Sequence, residues 1–438
     1  MIWNPEQETL SRDELSRQQS ENLKRLVRHV YDNVPFYRNR MDKLGVRPDD
    51  IRELADIVKL PFTTKNDMRE VYPLGLLAVD REKILEVHTS SGTTGKPVVD
   101  AYTAKDLDIW SEGLARTLSM GGCTAADTVQ NAYGYGLFTG GLGVHYGARR
   151  VGANILPISG GNTRRQLEVM QDFGSTILTC TPSYALYIAE FAAENGVDMA
   201  QMKLKSAMLG AEPWSESMRA EIENKLHVKA YDIYGLTEII GPGVASECEE
   251  QNGLHVFEDH FYPEIINPES GEPVQPGEKG ELVITTITKE GTPILRYRTR
   301  DITFFIEGKC PCGRTSRKIH RLLGRTDDML IIRGVNIFPS QVEHVLLRIE
   351  SVKPHYQLIV DRRNKLDYLE VQVEMNDELF SDEIKELEAT ESLIERELHS
   401  ELNIHAKVKL LNPKSIPRSE GKAKRVIDRR QIVDKQEG

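Results

Sequence analysis

Between about residue 75 and residue 300 the sequence alternates short apolar runs with helical patterns, and this alternation constrains the fold most. The runs ANILPIS, STILTCT, KSAMLGA, VKAYDIYG and GELVITTIT have the length and apolar content of strands. Between them QLEVMQDFG, SYALYIAEFAAENG and ESMRAEIENKL repeat apolar residues at helical spacing. Strand, helix and strand in succession predict an α/β domain with much parallel sheet. GEPVQPGEKGELVITTI departs from the pattern. Its Gly/Pro turns and alternating strand predict a small β-rich, barrel-like part. A second unit is expected from about residue 324. It contains a helix at about 340–350, opened by a capping box of Ser340 and Glu343, and a β-hairpin over HYQLIVDRRNKLDYLEVQVEM. A long amphipathic helix over SDEIKELEATESLIERELHSEL, a strand over AKVKLL and a basic tail complete this α+β domain. Near the start, Ser11 and Glu14 fit a capping box for a helix over 11–30 whose Leu23, Leu26, Val27 and Val30 share one face; residues 33–35 end it. The expected division is residues 1–326 and a smaller, mobile unit over 327–438.

A chain of 438 residues can bury a sizeable core without covalent staples. Its 67 acidic against 56 basic residues, a net charge of −11, give no basic footprint, and no nucleic-acid partner is expected. No uninterrupted apolar run reaches the ~18 residues of a membrane span. The start, MIWNPEQETLSRDELSRQQS, lacks an apolar signal-peptide core, so a cytoplasmic protein without membrane partners is expected. The five cysteines, Cys123, Cys180, Cys248, Cys310 and Cys312, are then expected to be reduced, with Cys123 and Cys180 as lone buried thiols.

Residues 89–97 read Thr89-Ser90-Ser91-Gly92-Thr93-Thr94-Gly95-Lys96-Pro97, between the strand-like runs KILEVH and VVDAYT. Glycines let backbone N–H groups turn toward an anion, hydroxyls add donors, and Lys96 adds a charge. The spacing is not that of a Walker A loop, which has four residues between its glycines and Ser/Thr after the lysine. Composition alone fits phosphate binding or a Ser/Thr/Gly-rich surface turn equally.

Four later segments follow in order: Tyr234-Gly235-Leu236-Thr237-Glu238, Tyr297-Arg298-Thr299-Arg300-Asp301, Gly324-Arg325-Thr326-Asp327-Asp328 and Pro417-Arg418-Ser419-Glu420-Gly421-Lys422. With the glycine loop they resemble the signature segments of the adenylate-forming, AMP-producing acyl-CoA synthetase superfamily. The chain further resembles the phenylacetate–CoA ligases of that superfamily in NAYGYGLFTGGLGVHYGARRVGANILPISGGNT, GAEPWSE, GLHVFEDHFYPEI and the SEGKAKRVIDRR tail. It departs where many relatives carry a second lysine after Pro97, and where RTRD replaces RTGD.

The resemblance implies ATP-dependent activation of an arylacetic acid, phenylacetate first, to acyl-AMP with release of pyrophosphate. Transfer to CoA then gives the thioester and AMP. It implies ATP, CoA and Mg²⁺ as cosubstrates and cofactor, and a homodimer. An adenylating enzyme that delivers another acid to a carrier-protein pantetheine is the alternative, and an inactive homologue that only binds nucleotide is a third. The implied ATP/AMP site comprises Ser90, Ser91, Gly92, Thr93, Thr94, Gly95 and Lys96 on the phosphates. Gly210, Ala211, Glu212 and Pro213 form one adenine wall, with Asp232, Tyr234 and Gly235 opposite; Asp301 and Arg325 hold the ribose. Thr237 contacts the α-phosphate, Glu238 holds Mg²⁺, and Lys422 bridges carboxylate and α-phosphate as charge develops, with Lys424 as its rival. Read without the resemblance, Glu238 is a solvated loop carboxylate, Asp301 an ion-pair partner of Arg298 or Arg300, and the basic tail a solvated charge run. Asp327 is the implied hinge of a rotation that lets one site serve both steps.

Tyr135, Gly136, Phe138, Gly140 and Gly141 lie in an aromatic- and glycine-rich stretch suited to a flat acyl group, with Ile240, Gly241 and Pro242 closing its far side. Ordinary packing is the other reading. Cys248, His255, Cys310 and Cys312 would make a closed Cys₃His set for structural zinc, with His260 as alternative ligand; free reduced thiols are the other reading.

Overall fold

The computed structural model of the chain describes residues 1–90, 96–333, 335–363, 366–376, 384–419 and 423–430. The α/β expectation holds. A nine-stranded sheet has the order Phe305–Ile306, Lys318–Ile319, Leu254–Val256, Gly241–Glu247, Lys229–Leu236, Ser206–Gly210, Ile177–Cys180, Thr128–Asn131 and Asn154–Leu156. The last five are parallel; four of them correspond to apolar runs read from the sequence, Thr128–Asn131 is not among those runs, and GELVITTIT forms a strand of the separate antiparallel sheet. Adjacent residues of these strands feed two separate cores. Ile177 and Met208 join a core with the helix Ala104–Met120, whereas Leu178, Ala207 and Leu209 join one with the helices Pro182–Glu194 and Glu216–Leu226. Burial on both faces is why Ile177–Cys180 and Ser206–Gly210 are largely apolar rather than alternating.

The sheet changes character at Lys229–Leu236. The chain turns through Thr237 and Glu238 and returns antiparallel as Gly241–Glu247. Gly235 permits this tight return, since a Cβ there would strike the Gly241 carbonyl. The β-rich part is a four-stranded antiparallel sheet of order Phe261–Ile266, Gly280–Thr286, Tyr297–Thr303 and Gly324–Arg325. Its last pairing sets Asp301 directly opposite Arg325.

Beyond residue 330 the elements share a third core, containing Leu330, Val342, Leu358, Val371, Ile394 and Val408. The strands Lys407–Leu411, Leu366–Met375, Val352–Arg363 and Val426–Asp428 form one sheet in that order. The helices Pro339–Leu346 and Ile384–Leu402 accompany it. The hairpin and the long amphipathic helix are where the sequence predicts them. At the other end, Ser11 and Glu14 cap the helix Arg12–Asn33 as a capping box. The second capping box is a correction. Pro339 takes the first helical position, so Gln341, not Glu343, reaches back to the Phe338 amide (2.9 Å). Ser340 then lies inside the first turn and its hydroxyl donates to the Leu323 carbonyl at 2.8 Å.

Candidate active site

The carboxyl ends of parallel strands are where open α/β sheets bind ligands. Here the ends of Ser206–Gly210 and Lys229–Leu236 face one pocket lined by Ala211, Glu212, Pro213, Asp232, Tyr234, Gly235, Asp301 and Arg325. Leu254, Ile319 and Leu322 give it an apolar floor. All eight polar or turn residues named first were read from the sequence. Gly210 sits just behind, where a Cβ would strike the Ile233 carbonyl, and Ala211 follows with φ of 72°. A non-glycine residue in that conformation costs of order 1 kcal/mol or more, strain typical of functional turns.

Within the pocket Asp301 is buried and accepts from the Tyr234 hydroxyl at 2.6 Å and from Arg325 Nη1 at 3.0 Å. Burial raises its carboxyl above the ordinary range, against the pull of Arg325. Its ion-pair partner is therefore Arg325; Arg298 is bound to Glu281, and Arg300 is exposed. Arg325 also reaches Asp327, donating through Nε and Nη2 at 2.9 and 3.0 Å. One guanidinium thus joins the pocket to the turn proposed as hinge. Asp232, deeper in, is pushed up to about 7 by burial and then by the charge of Glu247.

Glu238 is not a solvated loop carboxylate. It is 6% exposed and pairs with Lys65 Nζ at 3.1 Å. Lys65 opens the helix Lys65–Glu70, which Thr64 caps. Thr237 Oγ1 lies 3.5 Å from Thr139 Oγ1, at the start of the helix Thr139–Val151. Sequence reasoning missed Lys65 and Thr139, because no local pattern announces a partner so far along the chain. The run FTTK is the one trace of Lys65.

The strands Glu86–Thr89 and Val99–Tyr102 pair antiparallel and carry the glycine loop between them. Ser90 Oγ accepts from the Val98 amide at 3.0 Å, and Lys96 Nζ stands 5.5 Å above the Tyr72 ring. Ser91, Gly92, Thr93, Thr94 and Gly95 lie outside the described residues, as does Lys422. Its neighbour Ala423 donates its amide to Glu212 Oε2 at 2.9 Å, while Glu212 Oε1 accepts from the Ser183 amide at 2.8 Å. Glu212 thus holds the chain beside Lys422 against the pocket wall. Four of the described tail cations are paired: Lys414 with Glu194, Arg418 with Glu374, Arg425 with Glu343, and Arg430 with Asp367 and Asp428.

Among the residues expected around an acyl group, the Tyr135 hydroxyl accepts from Asn131 at 2.8 Å and faces His145 Nδ1 at 3.2 Å. Phe138 precedes the helix Thr139–Val151 and is half exposed. Gly136 has φ of 101°, Gly140 packs on Tyr133, and Gly141 approaches the Gly134 carbonyl. Ile240 is fully buried in the central core, and its carbonyl accepts from the Tyr102 hydroxyl at 3.1 Å. The Pro242 carbonyl accepts from Trp110 Nε1 at 2.9 Å. Cys248, His255, Cys310 and Cys312 come together elsewhere, at one end of the antiparallel half of the sheet. His260 is not among them; its Nδ1 faces Thr288 Oγ1 at 2.9 Å.

A pocket at the switch from parallel to antiparallel sheet, with a small mixed domain following it in the chain, is the plan of an adenylate-forming enzyme. Two family models match, AMP-binding enzyme over residues 13–288 and AMP-binding enzyme C-terminal domain over residues 334–430. A phenylacetate-coenzyme A ligase of Thermus thermophilus is 50% identical over 98% of this chain and 100% of its own length. The chain belongs to the AMP-binding enzymes, and within them to the phenylacetate–CoA ligase family. A solved 2-hydroxyisobutyryl-CoA ligase in the postadenylation state with R3-HIB-AMP is 26% identical and matches at a TM-score of 0.93, over 100% of this chain and 94% of its own. That ligase with 2-HIB-AMP and CoA in the thioesterification state matches at 0.72, with 27% identity over 99% of this chain and 94% of its own. One relative in two states gives two scores, and this chain is the more similar to that relative's postadenylation-state structure.

Proposed function

We propose that the protein activates an arylacetic acid, phenylacetate first, with ATP and transfers the acyl group to CoA. A carboxylate oxygen attacks the α-phosphorus, the bond to the bridging oxygen breaks, and pyrophosphate leaves. The CoA thiol then attacks the acyl carbon, gives its proton to solvent, and displaces AMP. The observation that carries this reading is the pocket in which the GAEP turn, Tyr234, Asp301 and Arg325 converge. Adenine would lie between the Gly210–Pro213 turn and Tyr234. The ribose hydroxyls would donate to Asp301, whose oxygens keep acceptor capacity beyond Tyr234 and Arg325.

Thr237 would bind the α-phosphate and the 90–96 loop the leaving phosphates. Lys65 adds a cation beside Glu238. Glu238 would hold Mg²⁺ together with phosphate oxygens; a buried carboxylate with a single countercharge is the hard oxygen donor this ion takes. When bound, the ion supplies positive charge against the phosphates. The flat, glycine-lined stretch from Tyr135 to Gly141 would take the aryl ring, with the Ile240–Pro242 backbone behind it. Zinc has no place in either step, since none of its four candidate ligands lines the pocket.

The same reading divides the chain into residues 1–326 and 327–438 and makes Asp327 the hinge. Lys422 would serve adenylation only. It extends to a cytoplasmic homodimer, supported by family membership and checked by sedimentation, and among the described residues no helix is long and apolar enough to cross a membrane. The test is a panel of aromatic acids with ATP and Mg²⁺, with and without CoA, following pyrophosphate, AMP and thioester. Phenylacetate is expected to give CoA-dependent AMP and thioester. Pyrophosphate without thioester would move the acceptor to a carrier protein. Lys422→Ala is expected to cripple acyl-AMP formation and spare thioester formation from synthetic acyl-AMP; equal loss of both defeats the assignment.

A further inference from the structure

One cluster of largely buried, chemistry-bearing side chains has no part in the proposed adenylation. Cys248 directly follows the strand Gly241–Glu247, and His255 lies in Leu254–Val256. Cys310 and Cys312 lie in the turn between Phe305–Ile306 and Lys318–Ile319. These strands are neighbours in the sheet, so the topology itself folds the two turns onto one end. Cys248 Sγ is 3.7 Å from Cys310 Sγ, and Cys312 Sγ is 3.5 Å from His255 Nε2. All four donor atoms lie within 4.8 Å of one another.

A disulfide needs sulfurs about 2.0 Å apart, which excludes one here. A tetrahedral zinc ion fits. Zn–S bonds of about 2.3 Å and Zn–N bonds of about 2.0–2.1 Å give tetrahedral edges of about 3.8 Å between sulfurs and about 3.6 Å between sulfur and nitrogen. The Cys248–Cys310 and Cys312–His255 separations match one edge of each kind. The imidazole is oriented as a ligand would be. Nδ1 faces Ser316 Oγ at 3.2 Å, so a proton on Nδ1 is donated outward and the Nε2 lone pair points inward. Arg314, two residues after Cys312, is buried; its Nε pairs with Glu8 at 2.6 Å, while its Nη1 has no hydrogen-bond partner and lies 3.8 Å from a Glu249 carboxylate oxygen. Three thiolates around a divalent ion leave one negative charge, and the Glu8-paired guanidinium stands beside it with a free donor.

We propose that Cys248, His255, Cys310 and Cys312 bind one Zn²⁺ as a closed structural site that holds the floor of the nucleotide pocket. The link is the strand register. His255 pairs with Lys318, and Leu254 pairs with Ile319. Leu254 and Ile319 are both floor residues of the pocket. Strands this short do not hold themselves in register, and a metal joining the two turns supplies the constraint. The second half of the proposal rests on reading that pocket as the ATP site.

The test measures metal and nucleotide separately. Full-length protein, prepared without chelator and without metal-affinity resin, is analysed for zinc by plasma mass spectrometry. About one equivalent per chain is expected. Protein grown with cobalt is expected to show thiolate-to-cobalt charge-transfer absorption. Less than a tenth of an equivalent, after incubation with zinc as well, overturns the site. Cys312→Ser is expected to lose the metal and to raise KM for ATP about tenfold, with KM for phenylacetate unchanged. Full zinc retention in Cys312→Ser overturns the ligand assignment. Should that variant not fold, the zinc content and cobalt spectrum of the unaltered protein still decide the site. Zinc at one equivalent with ATP binding unchanged on its removal overturns the structural link alone.

Discussion

In the proposed nucleotide site Asp301 would carry the most, because it meets Tyr234 and Arg325 and would meet the ribose at once. Asp301→Asn keeps the shape and removes the charge. Hydrogen bonds to a charged group are worth roughly 1.5–3 kcal/mol, so KM for ATP is expected to rise about 30-fold with KM for phenylacetate unchanged. Steady-state kinetics in both substrates checks this, and a rise in the phenylacetate KM instead would remove Asp301 from the ribose. Asp232 makes a pH statement. Burial first, and the charge of Glu247 second, raise its carboxyl to about 7. A carboxyl raised on folding contributes stability that is fully present below its unfolded value, about 4, and is lost as pH rises through about 7. Asp232→Asn stays neutral throughout. Its thermal midpoint is therefore expected to gain on the unaltered protein as pH rises from about 5 to about 8, and parallel curves would show that Asp232 titrates normally.

At the scale of elements, what was legible was what is contiguous. GAEP and YGLTE each combine a strand end with its turn, and RTRD lies within the single strand Tyr297–Thr303, so one short run carries both the geometry and the chemistry. Lys65 was not legible, because a lysine at a helix start is a common surface residue until the fold brings Glu238 to it. Ile240 shows the converse. An apolar residue beside a site motif reads alike whether it lines a pocket or fills a core, and here its side chain is in the core. The basic tail read as a charge run because its partners Glu374, Glu343 and Asp367 lie on the helix Pro339–Leu346 and on Leu366–Met375, distant in sequence. The turn at Asp327 joins the two scales. Arg325 binds Asp301 on one side and Asp327 on the other. Burial would raise the Asp327 carboxyl, but the hydrogen bond from Arg325 keeps it below its ordinary value. Asp327→Pro fixes φ at this position. One half-reaction is expected to stay near normal and the other to slow, read by pyrophosphate exchange and by thioester formation from synthetic acyl-AMP. If both half-reactions survive, rotation occurs elsewhere.

For the whole molecule, the arrangement matching the postadenylation state of a relative needs something to hold it, and the contacts between residues before 326 and after 327 supply that. Glu190, near the end of the helix Pro182–Glu194, accepts from His355 Nε2 at 2.8 Å, with Arg418 Nε 3.7 Å away. Lys414 meets Glu194 at 2.8 Å, Glu343 accepts from the Ser215 amide at 3.3 Å, and Glu212 holds the Ala423 amide. These polar contacts stand beside Leu347, which packs against the core of the helices Pro182–Glu194 and Glu216–Leu226, and their polarity would suit a surface that parts and re-forms under the proposed rotation. They are unequal. The Lys414–Glu194 pair is exposed, and solvent screens most of its attraction. Glu190 and His355 are largely buried. Burial alone would raise the Glu190 carboxyl, yet His355 and the nearby cations hold it below its ordinary value. Such a carboxylate is fully charged above its ordinary range and loses its contribution as pH falls through the lowered value, so the clasp is closed at neutral pH. Glu190→Gln keeps the size and removes the charge. One partly buried charged hydrogen bond is worth about 1.5 kcal/mol, so the population of the docked arrangement should fall about tenfold relative to the open one. Acyl-AMP formation is then expected to slow, while thioester formation from supplied acyl-AMP holds or quickens. Glu194→Gln is expected to change neither rate appreciably at moderate salt. A ratio of half-reaction rates that Glu190→Gln leaves unmoved would place the hold on the Glu212 and Glu343 contacts instead.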